Sequence, residues 1–181
     1  MGKKRGQLFS MDMMFAATIV LFLFVAMTVV HDMLFYSFQT STAKAEMRDS
    51  TLAAADVLVS SAGNPSNWSD SAGIDAASVK VLGLASERGV LDPAKVAGFF
   101  QSINTTTLNS NYSNARRALG LNRPGYNFSV TIYNSTGDKI LETNASIAPS
   151  ASNSTASMQR YALLNGELAR LNVRVWKDES T

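Results

Sequence analysis

Seven asparagines carry the one chemistry whose residue pattern is complete in this sequence. Asn67, Asn104, Asn111, Asn127, Asn134, Asn144 and Asn153 each open an N-x-[ST] triplet, the acceptor pattern for an N-linked saccharide. With 13 asparagines and about a fifth of all residues Ser or Thr, chance would supply roughly two or three such triplets. The excess points to a glycosylated surface, the alternative being a surface merely rich in Ser and Thr. Other reactive groups are sparse. There is no cysteine, so disulfides, thiolate metal sites and cysteine nucleophiles are excluded. His31 is the only histidine, which removes imidazole chemistry from everything downstream of it. Asp and Glu are scattered, with no metal-ligand spacing, and the glycines sit at turns rather than in a phosphate loop. No catalytic residue, metal or cofactor is therefore expected, although sequence leaves open a carboxylate pair converging in space. Arg116-Arg117 reads either as an anion contact or as a solvated face.

The net charge of +2 falls to −1 once the three charges of Lys3, Lys4 and Arg5 are set aside. A near-neutral body argues against nucleic acid as a main partner. The basic cluster precedes the element that dominates the chain. From Gln7 to Ala62 there are 56 residues without glycine or proline, enough for a helix on the order of 80 Å long. Its segment 13–30 is uncharged for 18 residues, the span that a bilayer core asks of one helix. Leu34, Phe35 and Phe38 extend the apolar content, as in a tilted span. Lysine and arginine collect on the cytoplasmic side, so the N-terminus is expected inside and the C-terminal part outside. The run is too long, and too directly continued by helix, for an ordinary secretory signal. His31 and Asp32 close the span, as an interfacial polar pair or as a proton relay.

The segment KKRGQLFSMD resembles a class III, prepilin-type signal, as found on archaeal type IV pilins and archaellins. That resemblance implies cleavage between Gly6 and Gln7 by a prepilin peptidase-like enzyme. It also implies assembly with other pilin-like subunits. The family usually places a carboxylate fifth in the mature chain. Here Met11 holds that place and Asp12 is sixth. Asp12 would then contact a neighbouring subunit, or else sit solvated in the headgroup layer, since an unpaired carboxylate at the edge of an apolar run is costly. The stretch GNPSNW followed by VKVLGLASERGVLDPAKV also resembles pilin-like archaeal surface proteins, so the likeness covers nearly the whole chain.

Past Thr42 the helix turns amphipathic: Met47, Thr51, Ala54, Leu58 and Ala62 recur at spacings of three and four. Gly63 and Pro65 supply its stop. Trp68 reads as a plug under the turn, or as a ligand platform. Val79–Leu84 is expected as a short strand, and Asp92-Pro93 as the start of a helix with Val96, Phe99, Phe100 and Ile103 on its buried face. Asn104–Asn114 reads as a loop before a second short helix that Gly120 ends. Tyr126–Tyr133 alternates as a half-buried strand, turns at Asn134–Asp138, and returns over Lys139–Asn144. Pro149–Ser157 is expected as an exposed loop. Met158–Leu164 and Glu167–Trp176 flank Asn165-Gly166, a strong hairpin signal, before a frayed tail.

These readings give an α+β fold, with a long N-terminal helix packed on a small head of antiparallel strands. The expected parts are a leader over 1–6, the helix over 7–62 and an extracellular head over 63–181. The expected function is structural: a major or minor subunit of a type IV pilus-like filament at the cell surface. The alternative is a membrane-tethered binding or adhesion module, or a minor component of a secretion machine that forms no filament.

Overall fold

A computed structural model describes residues 4–70, 74, 78–104, 110–143 and 154–177, without the side chains of residues 4–10, 70 and 110. With no glycine or proline after Gly6 to interrupt it, helix α1 runs unbroken over Lys4–Ser60. It passes through both of the compact units into which the chain divides, Met1–Ala43 and Lys44–Thr181. After a 3₁₀ turn at Trp68–Asp70 come β1 (Ala85–Glu87), β2 (Val90–Leu91), α2 (Pro93–Asn104) and α3 (Ser110–Ala118). Then follow β3 (Tyr126–Tyr133), β4 (Lys139–Glu142), β5 (Thr155–Leu164) and β6 (Glu167–Lys177). The result is the expected α+β arrangement: one long helix and a curled sheet in which antiparallel pairing predominates.

The six strands lie in the order β1-β2-β5-β6-β3-β4. Every pair is antiparallel except β2 with β5. Asn165 and Gly166 take φ of 55° and 81°, the pair of positive values that a two-residue type I′ turn requires. That turn fixes the β5–β6 register from Leu164↔Glu167 out to Thr155↔Trp176. The alternation then drives Ala169, Leu171, Val173 and Val175 to one face, with Phe128, Val130 and Ile132 of β3 beside them. The same core cluster takes in Met47, Ala54, Ala55, Leu58 and Val59 of α1. The expected amphipathic stripe is buried from Met47 to Leu58, while its last member, Ala62, lies half-buried past the end of α1 at Ser60.

A helix end leaves its last carbonyls without intrahelical partners. Here the chain that returns past them supplies donors. Leu84 N donates to Leu58 O at 3.0 Å, Gly89 N to Val59 O at 2.9 Å, and Ala85 N to Ser61 O at 3.1 Å. Lys95, only 7% exposed, donates its Nζ to Ala62 O at 2.9 Å and to Ala85 O at 3.2 Å. A cation at this end also complements the helix dipole. The approach is so close that a Cβ on Gly83 would stand 2.0 Å from Ser61 O, and no side chain fits. Trp68, 2% exposed, closes the corner as a plug, its Nε1 donating to Gly83 O at 2.9 Å.

Three local expectations are corrected. Val79–Leu84 is not a strand; it holds one bridge, Val81 with Asn64, and the strand begins at Ala85. Its backbone donors go elsewhere, Leu82 N to Ala118 O and Leu84 N to the end of α1. The stretch Asn104–Asn114 is not all loop, because α3 already starts at Ser110. Burial drives that start: Tyr112 stacks on Phe128 with ring centroids 4.9 Å apart, and Ala115 is fully covered. Thr155–Ser157 belong to β5 rather than to a loop, paired with Trp176–Arg174 through the extended hairpin register. Residues 149–153 of that loop and the tail from 178 on lie outside the described residues. The Asp92 cap matches its expectation, Oδ1 accepting from Ala94 N at 2.9 Å, as do the buried faces of α2 and β3.

Candidate functional site

Every residue from Met11 to Gln39 is exposed, aromatic and aliphatic side chains included, Phe22 to 72%. No face of this segment is polar. The two threonines inside its uncharged part are satisfied by the helix itself: Thr18 Oγ1 donates to Met14 O and Thr28 Oγ1 to Val25 O, each at 2.8 Å. Over residues 13–30, a helix without a charge and with an apolar surface all round suits hydrocarbon or a bundle of like helices. By length and composition α1 is a candidate membrane anchor. Asp12 stands exposed at one edge of the apolar run, with no partner among the described residues. At the other edge His31 Nδ1 lies 3.7 Å from Asp32 Oδ1, both exposed. Gly6 and Gln7 fall within α1, their side chains outside the described residues.

The second unit carries the sequon asparagines, in unlike settings. Asn67 is exposed beside the Trp68 plug. Asn104 ends α2 and donates to Glu142 O at 3.0 Å. Asn111, half-buried in α3, donates to Ser102 O at 3.4 Å. Asn127 is half-buried in β3, its Oδ1 accepting from the Tyr112 hydroxyl at 3.5 Å. Asn134 heads the β3–β4 turn. Its Oδ1 accepts from Thr136 Oγ1 and from Asp138 N, each at 2.7 Å, and its Nδ2 donates to Asp138 Oδ2 at 3.3 Å. The bonds from Thr136 and Asn134 hold the Asp138 carboxyl below its ordinary range. Asn144 and Asn153 lie outside the described residues.

Of the paired arginines, Arg116 is engaged structurally, donating to Tyr126 O at 2.9 Å. It also lines a shallow cavity of about 270 Å³ with Arg117, Ser113 and Asn122. Among the described residues, no three of His, Cys, Asp and Glu gather in a way that could hold a metal. An open groove of about 790 Å³ runs between Lys44–Thr51 and Ser154–Met158. Two features escaped the sequence reading. One is the burial of Lys95. The other is a stack on the outer sheet face, where Arg170 lies opposite Tyr133 on one side and Tyr161 on the other. The Arg170 guanidinium carbon sits 4.5 Å from the centre of the Tyr133 ring. Part of the signal was available: the Asn-Gly turn fixes the β5–β6 register, and counting outward from it places Tyr161 opposite Arg170.

Residues 74–176, more than half of the chain, match a family of unknown function, DUF7287. No curated protein and no solved structure matches. The long apolar N-terminal helix fits a pilin-like layout, while no pilin family is identified.

Proposed function

The chain belongs to the DUF7287 family, and from its own residues we propose for it the role of a structural subunit in a type IV pilus-like surface filament. The observation that carries this reading is the apolar surface of α1. From Met11 to Gln39 no described residue covers it, and soluble monomers rarely leave contiguous apolar surface of that extent in water. Burying each large side chain is worth roughly 1.5–3 kcal/mol. Lipid and the helices of neighbouring subunits are two environments that supply this burial, and a filament subunit uses them in turn. Lys3, Lys4 and Arg5 hold the N-terminus on the cytoplasmic side, and cleavage between Gly6 and Gln7 frees the helix for assembly. Asp12, at the edge of the apolar surface, then finds its partner on the next subunit. The region that matches the family forms most of the second unit, which faces the exterior and carries saccharides on its sequons.

The test is the N-terminal residue of the native protein together with its partition between membranes and sheared surface material. Gln7 at the N-terminus of the sheared fraction is expected. An intact Met1 found only in membranes refutes the filament and leaves a tethered binding module.

A further inference from the structure

Beside Asn134 a saccharide has a place to rest. Two shallow cavities, of about 170 Å³ and 280 Å³, share Asn134 and Leu168 in their walls. The smaller is also lined by Tyr161 and Arg170. At this size it falls below the roughly 300–1,000 Å³ of a drug-sized ligand site, and suits a single sugar ring. Tyr161 and Leu168 are 62% and 51% exposed there, apolar surface that the protein itself leaves uncovered. Arg170 is pinned against Tyr133, and its Nε is buried without an acceptor among the described residues. An aromatic face beside a fixed guanidinium fits a pyranose, which presents C–H groups on one side and hydroxyl acceptors around its rim.

The turn also tolerates the modification. Asn134 uses its Oδ1 for two hydrogen bonds and its Nδ2 for one. An N-glycosidic bond replaces one of the two N–H groups and leaves the other free to donate to Asp138. We infer that Asn134 is a glycosylated position whose first sugar seats against Tyr161, Leu168 and Arg170. In the transfer, the amide nitrogen of Asn134 displaces phosphate from the anomeric carbon of a glycosyl-phosphate donor. The N–C bond forms, the C–O bond breaks, and one amide proton leaves with the phosphate. This inference rests on the reading that the second unit faces the exterior.

The test has two arms on the full chain in detergent. Glycopeptide mass spectrometry of protein from its own cells reads occupancy site by site. Melting compares that protein with unmodified chain made in cells lacking the transfer machinery, for wild type and for Tyr161→Ala. The expected result is a saccharide on Asn134 in both variants. Its presence should raise the melting temperature by a few degrees in wild type and by less than half as much in Tyr161→Ala. A bare Asn134 beside an occupied Asn67 overturns the site and leaves the exterior reading intact. An equal gain in both variants overturns the seat. No sequon occupied, with the second unit protected inside the cell, overturns the site together with the reading on which it rests.

Discussion

One helix, α1, has two stretches that obey opposite rules. Between Met11 and Gln39 it is exposed, and from Met13 to Val30 it carries no charge on any side. Between Met47 and Val59 it is divided: Met47, Thr51, Ala54, Ala55, Leu58 and Val59 are buried while Asp49 and Asp56 face solvent. Both are helical without a break, so secondary structure does not tell them apart. The difference lies in where burial comes from. The second stretch obtains it from its own chain and joins a core with β3 and β6. The first stretch has no such source among the described residues, and in the proposed filament its burial comes from lipid and from neighbouring subunits.

Substitution can break this comparison, and the largest effect belongs to the packed stretch. Leu58 is 0% exposed, so Leu58→Ala should cost about 2–5 kcal/mol through lost contacts and a cavity. Thermal melting of the full chain in detergent would register that loss, whereas Leu21→Ala should leave the same transition unmoved. Next in size is a charge in the apolar stretch. Leu21→Asp should cost about 3–4 kcal/mol of membrane insertion, seen as loss from the membrane fraction with the melting of the second unit unchanged.

A smaller effect separates local signals from burial. Asp92→Ala removes the cap of α2, whose Oδ1 accepts from Ala94 N at 2.9 Å, and should cost about 1 kcal/mol in the same melt. The smallest effect concerns the solvent side of the packed stretch. Arg160 Nε lies 2.6 Å from Asp56 Oδ1, with the carboxylate more than half exposed. The hydrogen bond from Arg160 holds the Asp56 carboxyl below its ordinary 3.8. A depressed carboxyl stabilises the fold above its unfolded-state value, and that contribution is lost as pH falls through the folded-state value. Solvent screening limits the pair to at most about 1 kcal/mol. Arg160→Gln should therefore lower the melting temperature slightly at neutral pH and not at all in acid well below 3.8.

The parts of the fold legible in the sequence are those set by neighbours along the chain. The amphipathic stripe of α1, the Asp92-Pro93 start of α2 and the Asn165-Gly166 hairpin each follow from a few consecutive residues. What escaped depends on partners far away in sequence. Val79–Leu84 has the composition of a strand, but its donors are claimed by the ends of α1 and α3. The parallel pairing of β2 with β5 joins Val90 to Leu163, and no local pattern announces it. The burial of Lys95 arises because two carbonyls, Ala62 O and Ala85 O, converge on one amine. For the candidate site the division is similar. The apolar surface and the sequons could be read directly, but the Arg170–Tyr133 contact beside Asn134 exists only once the register of β3 with β6 is fixed.

The central claim is that the apolar stretch of α1 packs against copies of itself. The chain has no cysteine, so Phe22→Cys introduces a unique thiol, with Leu58→Cys as a buried control. Treating intact cells and sheared surface material with a short bifunctional thiol reagent tests the claim most directly. The account predicts a cross-linked dimer for Phe22→Cys in the sheared material, the largest species that one thiol per chain allows, and none for Leu58→Cys. Phe22→Cys that remains a single chain in membranes, while still reacting with a lipid-soluble thiol label, would contradict it.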